Sequence, residues 1–491
     1  MRTLRSCALL AGLVAAPAAA QNAAAERCIL EFESPTGTTR TNLVSLPSGK
    51  YNAYQGNGVV YRCKGQDNTL RADSAEYYGD PGILYMIGRV HYTEPRVTAD
   101  AQRMTYFQAD DRLLAEGNVV AVMQGGTTMR GPRVEYWRVV PGRPRARMFA
   151  PGRPRMELIQ RDSAGRAQEP VNVVANTITM EGDSLVYAGG KVEITRPDML
   201  AKGDSAFLDS GREFARLMRG PSVESKGEQP FTLVGGTIDV FSRARKVERV
   251  LSKANAVATS EDMRLASDTI DLRVRENQLE RAFAWGPSRA RVTSPDRDLQ
   301  ADSLDVIMPG QRLRELRALR GAYVESVVDT TRVRSAERDW MRGDTIIARF
   351  DTATATDTSR RPRPRDIVAS GHASSFNQMA SRKGIEAPPA INYVRGRVIS
   401  AVFDSAEVRT VTVIDSAGGV YLEPALDSTG AARAGRTGSD SAAAAGQGRP
   451  NSRPATPREG VTTPGGTRPE PRRPRVVPKR PPGSPSPELR P

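Results

Sequence analysis

One pattern, repeated about ten times, constrains this chain more than any other feature. Residues 97–122 read VTADAQRMTYFQADDRLLAEGNVVAV: a strand-like run, a polar turn, and a second strand-like run closed by Gly-Asn-Val. With Asp100 as anchor, Val97 and Ala99 stand three and one positions before it, and Met104 and Tyr106 four and six after, with Gln102 out of pattern. The same grid places Leu70 and Ala72 before Asp73, and Ala75 and Tyr77 after it. It recurs at Asp268, Asp302 and Asp344, and in weaker form at Pro132, Asn176, Asp204, Gly236 and Arg397. Internal repeats take priority in reading a chain, because missing them misassigns the whole fold.

Alternation at period two predicts strands with one buried face. The apolar positions fall on odd offsets before the anchor and even offsets after it. Such a slip turns side chains to the other face unless a bulge or bend absorbs it. Asp, Asn, Gly and Pro tolerate kinked backbone and fill nine of the ten anchors. The second strand is anchored on glycine: Leu84, Met86, Val90 and Tyr92 flank Gly88, and Leu113, Ala115, Val119 and Ala121 flank Gly117. A glycine inside a strand marks a bend, a bulge or a close approach. The expectation is an all-β chain of about twenty antiparallel strands: an elongated twisted β-jellyroll of about ten bent hairpins, or two jellyrolls in tandem, divided as residues 21–165 and 166–426. The irregular anchor spacing, from 27 to 53 residues, argues against a uniform parallel β-helix. Residues 312–322 (RLRELRALRGA) have helical charge spacing, but they lie where the grid requires a strand and are read as strand.

The ends differ from the repeats. Arg2 and Arg5, an apolar run and Ala18-Ala19-Ala20 read as a signal peptide over residues 1–20. Its removal leaves Cys28 and Cys63, which in an exported chain predict one disulfide, with two free buried thiols as the alternative. A disulfide closing a loop of that size would stabilise by about 3–4 kcal/mol. Residues 427–491 are rich in Pro, Arg, Gly, Ser and Ala, and lack the apolar surface to offset the entropy of ordering. That tail holds twelve Lys or Arg against five Asp or Glu, so about half of the chain's net charge of +15 belongs to a segment read as disordered.

The grid of small-Ala-Asp, alternating apolars and Gly-Asn-Val resembles the organic-solvent-tolerance A-like (OstA-like) domain family of lipopolysaccharide-transport proteins. The carrying segments are LRADSAEYY with LYMIGRVHY, VTADAQRMTY with LLAEGNVVAV, and MRGPRVEYW. They are clear over residues 69–137 and traceable to about 423. The resemblance implies a periplasmic jellyroll whose apolar interior holds acyl chains of lipopolysaccharide or a related glycolipid. It also implies stacking edge to edge and docking to other transport proteins. The extra repeats and the Arg-rich tail depart from the short members of the family.

The same ligand logic follows from the residues. Two sheets meeting at bent strands enclose a slot, and many Ala and Gly at inward positions leave room for an alkyl chain, each buried methylene contributing about 0.8 kcal/mol. The candidate lining residues are Leu70, Ala72, Leu84, Met86, Val90, Val97, Ala99, Met104, Tyr106, Leu113 and Val119. Arg143, Arg145, Arg147, Arg153 and Arg155 cluster in one hairpin and are candidate contacts to lipid phosphate, which guanidinium binds in a bidentate manner.

Catalysis has little to stand on. The chain has two histidines, His91 and His372, in different repeats, and no nucleophile–base constellation. The recurring aspartates lack calcium-loop spacing, so no metal or cofactor is expected. The basic regions lack the interleaved aromatics of nucleic-acid binders. The competing reading is a structural β-repeat protein that binds cell-wall or surface polysaccharide along its outside.

Overall fold

A computed structural model describes residues 28–34, 37, 39–159, 169–226, 230–244, 246–351, 363–382, 384, 387–404 and 407–424. The signal-peptide and tail readings lie outside these residues. The described chain is all-β: one sheet of 28 strands in which every pairing is antiparallel. Six consecutive pairs of short strands, such as Arg147–Pro151 with Arg155–Leu158, are the halves of single strands broken at a bend, which leaves 22 bent strands. The only helical element among the described residues is a 3-10 turn at Pro309–Gln311, and the sequence beside it forms the strand Glu315–Ser326, as the repeat grid required. Strand pairing continues past residue 165, because Arg155–Leu158 pairs with Val171–Val174 and Arg147–Pro151 with Thr177–Glu181.

The period-two pattern becomes rows of side chains. On the inner face one row runs in register through Leu84, Tyr106, Leu113, Tyr136, Met148, Met180, Val186 and Leu208. Each residue lies directly opposite the next, the spacing at which apolar cross-strand pairs stabilise a sheet.

The long strands bend near their middles, and at most of the bends two residues face one; at Gly286 the bulge is larger, with residues 286–289 opposite Asp302. Gly88 and Arg89 face the single residue Gln102, because the register steps from Ile87↔Arg103 to Val90↔Ala101. The two-residue side takes left-handed backbone, as at Gly88 and Arg89 (φ 78° and 46°), Gly117 and Asn118 (81° and 51°), and Gly190 and Lys191 (75° and 50°). Glycine adopts that conformation without steric cost, which explains its recurrence. The extra residue therefore sits in the glycine strand, and the anchor strand absorbs it as the phase slip seen in its apolar pattern.

The bends align into a ridge and divide the sheet into two half-sheets whose inner faces oppose. Tyr92 of one half and Tyr136 of the other meet across the interior with ring centroids 6.4 Å apart. The trough between the halves is filled by one continuous apolar core running from Cys28 to Ile399.

One anchor is corrected. The register break of Val97–Phe107 lies between Asp100 and Arg103, and the residue over the glycine of the next strand is Gln102. Counted from Gln102, Ala99 and Ala101 precede and Met104 and Tyr106 follow on the regular grid, and all four are buried. Asp100 instead points outward and accepts a hydrogen bond from His91 at 2.7 Å. Aspartate marked the other strong bends, and its presence two residues early drew the pattern off.

Candidate functional site

The trough is the candidate site. All eleven residues expected to line it face inward and none is more than 9% exposed. Leu84, Met86, Met104 and Val119 are at most 1% exposed and belong to one buried cluster with Tyr92, Tyr106 and Met129. The first half of the trough is thus filled by its own side chains. Its composition changes along the molecule: from residue 282 onward, alanines such as Ala284, Ala290, Ala301, Ala318, Ala322 and Ala369 occupy fully inward positions.

Cover also changes along the molecule. In the last repeats Val324, Met341, Ala348, Ile367, Val394 and Val413 lie on the inner rows and pack against the core while remaining half-exposed. The final segments Glu407–Ile414 and Gly418–Leu422 pair with Ala390–Asp404 on one side only among the described residues. Among the described residues the trough is therefore only partly covered at its carboxyl-terminal end.

Bending brings the two turn-bearing margins of the sheet together as lips along the open side of the trough. Near the amino-terminal end these lips are joined by a buried polar cluster. Arg138, from the turn after Thr128–Trp137, donates to Gln66 at 2.6 Å, to Glu94 at 3.3 Å and to Asp111 at 3.4 Å. Gln66 and Glu94 belong to one lip, and Asp111 and Arg138 to the other. Tyr92 and Tyr136 donate to Glu94, and Tyr106 donates to Asp111. Burial, reinforced by the neighbouring carboxylates, holds these three phenols far above the ordinary tyrosine range, so they stay protonated and act as donors. Cys28 and Cys63 form the expected disulfide, with Cα atoms 4.8 Å apart. The Cys28 N–H donates to Asp111 Oδ1 across the same seam at 3.3 Å.

The five arginines do not share one surface. Arg143 is committed to its own turn, donating to the carbonyl oxygens of Arg138 at 2.8 Å and Asp110 at 2.9 Å. Arg147 lies over the Trp137 ring, and Arg153 sits on the ridge donating to the Lys191 carbonyl. Arg155 belongs to the other half-sheet, opposite Arg130, and Arg145 is exposed in the turn before Arg147.

Along the ridge, anchor aspartates pair with the left-handed residues beside the glycines: Asp73 with Arg89 at 2.6 Å and Asp344 with His372 at 3.1 Å. The Arg89 hydrogen bond lowers the Asp73 carboxyl below the usual range. Among the described residues no group of three or more His, Cys, Asp or Glu is arranged to hold a metal ion. Sequence reasoning missed the Arg138 cluster, because its members come from separate turns and no local motif marks them. No protein-family model and no curated protein matches this chain.

Proposed function

We propose that this protein is a periplasmic carrier or bridge that holds the acyl chains of lipopolysaccharide or a related glycolipid in its trough. The reading rests on the OstA-like pattern of the repeats, and the observation that carries it furthest is the apolar inner face left half-exposed, among the described residues, at the carboxyl-terminal end. There the inward row of Val324, Met341 and Val394, and Ile367 in the facing half-sheet, are half-exposed, with fully buried alanines such as Ala322 and Ala369 close by in the same strands. An alkyl chain laid along it gains about 0.8 kcal/mol per buried methylene without directional bonds, so it is held yet able to slide. Further in, around Met86 and Met104, a chain would need the half-sheets to spread, and the Arg138 cluster opposes that.

Photocrosslinking amino acids at Met341 and Val394 should capture labelled lipopolysaccharide, while outward Thr345 should not. Capture from Thr345 alone, or from none of the three, would sink the acyl-carrier reading.

A further inference from the structure

Outside the trough, one half-sheet presents an outer row that runs in register through Tyr54, Glu76, Tyr85, Thr105, Leu114 and Glu135 and on towards Thr412. From Phe107 onward most of this face covers itself, Tyr187 remaining exposed beside Phe207. Guanidinium groups lie over its rings: Arg112 over Phe107 at 4.0 Å, Arg147 over Trp137 at 5.5 Å and Arg249 over Phe241 at 5.4 Å. Its buried carboxylates are bridged in pairs of bonds of 2.6–2.9 Å, Asp239 by Arg216, Asp271 by Arg249 and Asp305 by Arg281. Bidentate arginines and stacked rings leave little for a partner to hold.

The covering stops over the strands Thr69–Tyr78, Ile83–Glu94 and Val97–Phe107. Tyr78 and Tyr85 meet edge to face at 5.7 Å, and no guanidinium lies over either ring among the described residues. Tyr78 is fixed by donating to Glu76 at 2.9 Å, and that bond pushes its hydroxyl up to about 12. Arg103 and Glu116 are direct cross-strand partners, yet no ion pair joins them among the described residues. These residues, with Ile83, Ile87 and Thr105, line a groove of about 510 Å³.

We infer that this groove binds a saccharide, with a pyranose ring stacked on Tyr85 and its hydroxyls held between Arg103 and Glu116. A pyranose has an apolar C–H face that suits an aromatic platform, and hydroxyls that both donate and accept. The groove offers one free donor group and one free acceptor beside an uncovered ring. A proline-rich peptide would also suit tyrosines, but it presents carbonyl oxygens and few N–H groups, which would leave Glu116 desolvated and unpaired. The site stands independently of the acyl reading.

The test titrates the full chain with chitohexaose, cellohexaose and the lipid-free core oligosaccharide released from lipopolysaccharide, followed by calorimetry and saturation-transfer NMR. At least one should bind in the submillimolar range. Tyr85→Ala and Arg103→Gln should each weaken it about tenfold without lowering the melting temperature. Tyr187→Ala should leave it unchanged, since that ring lies in the same outer row beyond the groove and is similarly exposed, 43% against 38% for Tyr85. Failure of all three sugars to bind at millimolar concentration, an equal loss in Tyr187→Ala, or displacement of the sugar by a peptide of residues 471–487 would overturn the inference.

Discussion

Gly88 shows how much the ridge asks of one residue. Its backbone is left-handed, and a Cβ there would stand 2.5 Å from Oδ2 of Asp73. Gly117 has the same relation to Gln102, and Gly190 to Asn176. Two penalties therefore act on Gly88→Ala: unfavourable φ, and a clash with the anchor side chain. Together they should cost about 1–3 kcal/mol. Adding Asp73→Gly should restore only the part due to the clash, as read from urea denaturation midpoints of the single and double variants. The glycines were legible in the sequence because they interrupt a regular alternation. Their partners were only half legible. An anchor is whichever side chain lies over the neighbouring glycine, and Gln102 fills that place as well as Asp73 does, so residue type alone misplaced it.

Whole elements bring together groups that the sequence keeps apart. Arg138 lies 44 residues from Glu94 and 72 from Gln66, and it meets them only because every strand between folds at the ridge. Its charge is buried with two carboxylates. Arg138→Met would leave Glu94 and Asp111 buried without their cation and should cost about 3–5 kcal/mol. Adding Glu94→Gln and Asp111→Asn should recover much of the loss, measured by chemical denaturation with the disulfide intact. The inner strand faces were legible because burial imposes a parity. The lips and the outer face were not. Turn residues carry no periodicity, and the outer row of rings and arginines appears only when the opposite parity of each strand is read across its neighbours.

Along the whole molecule each strand touches mainly the strands beside it, so stability is a sum of neighbouring terms rather than a single central core. Cover is unequal: the amino-terminal repeats are joined by the disulfide and the Arg138 cluster, whereas the last repeats leave their inner row half-exposed. Unfolding should therefore start at the carboxyl-terminal end. Trp137, Trp285 and Trp340 are spaced along the ladder as natural reporters. Variants retaining one tryptophan each should lose native fluorescence in the order Trp340, Trp285, Trp137 as urea rises, and coincident transitions would refute this order. The two-against-one bend carries a last consequence. Left-handed pairs and single anchors must alternate from strand to strand, so adding or deleting a lone strand would set like against like and exchange the two margins. Growth of such a chain in evolution is quantised: it lengthens by duplicated hairpins, and the count of strands keeps its parity.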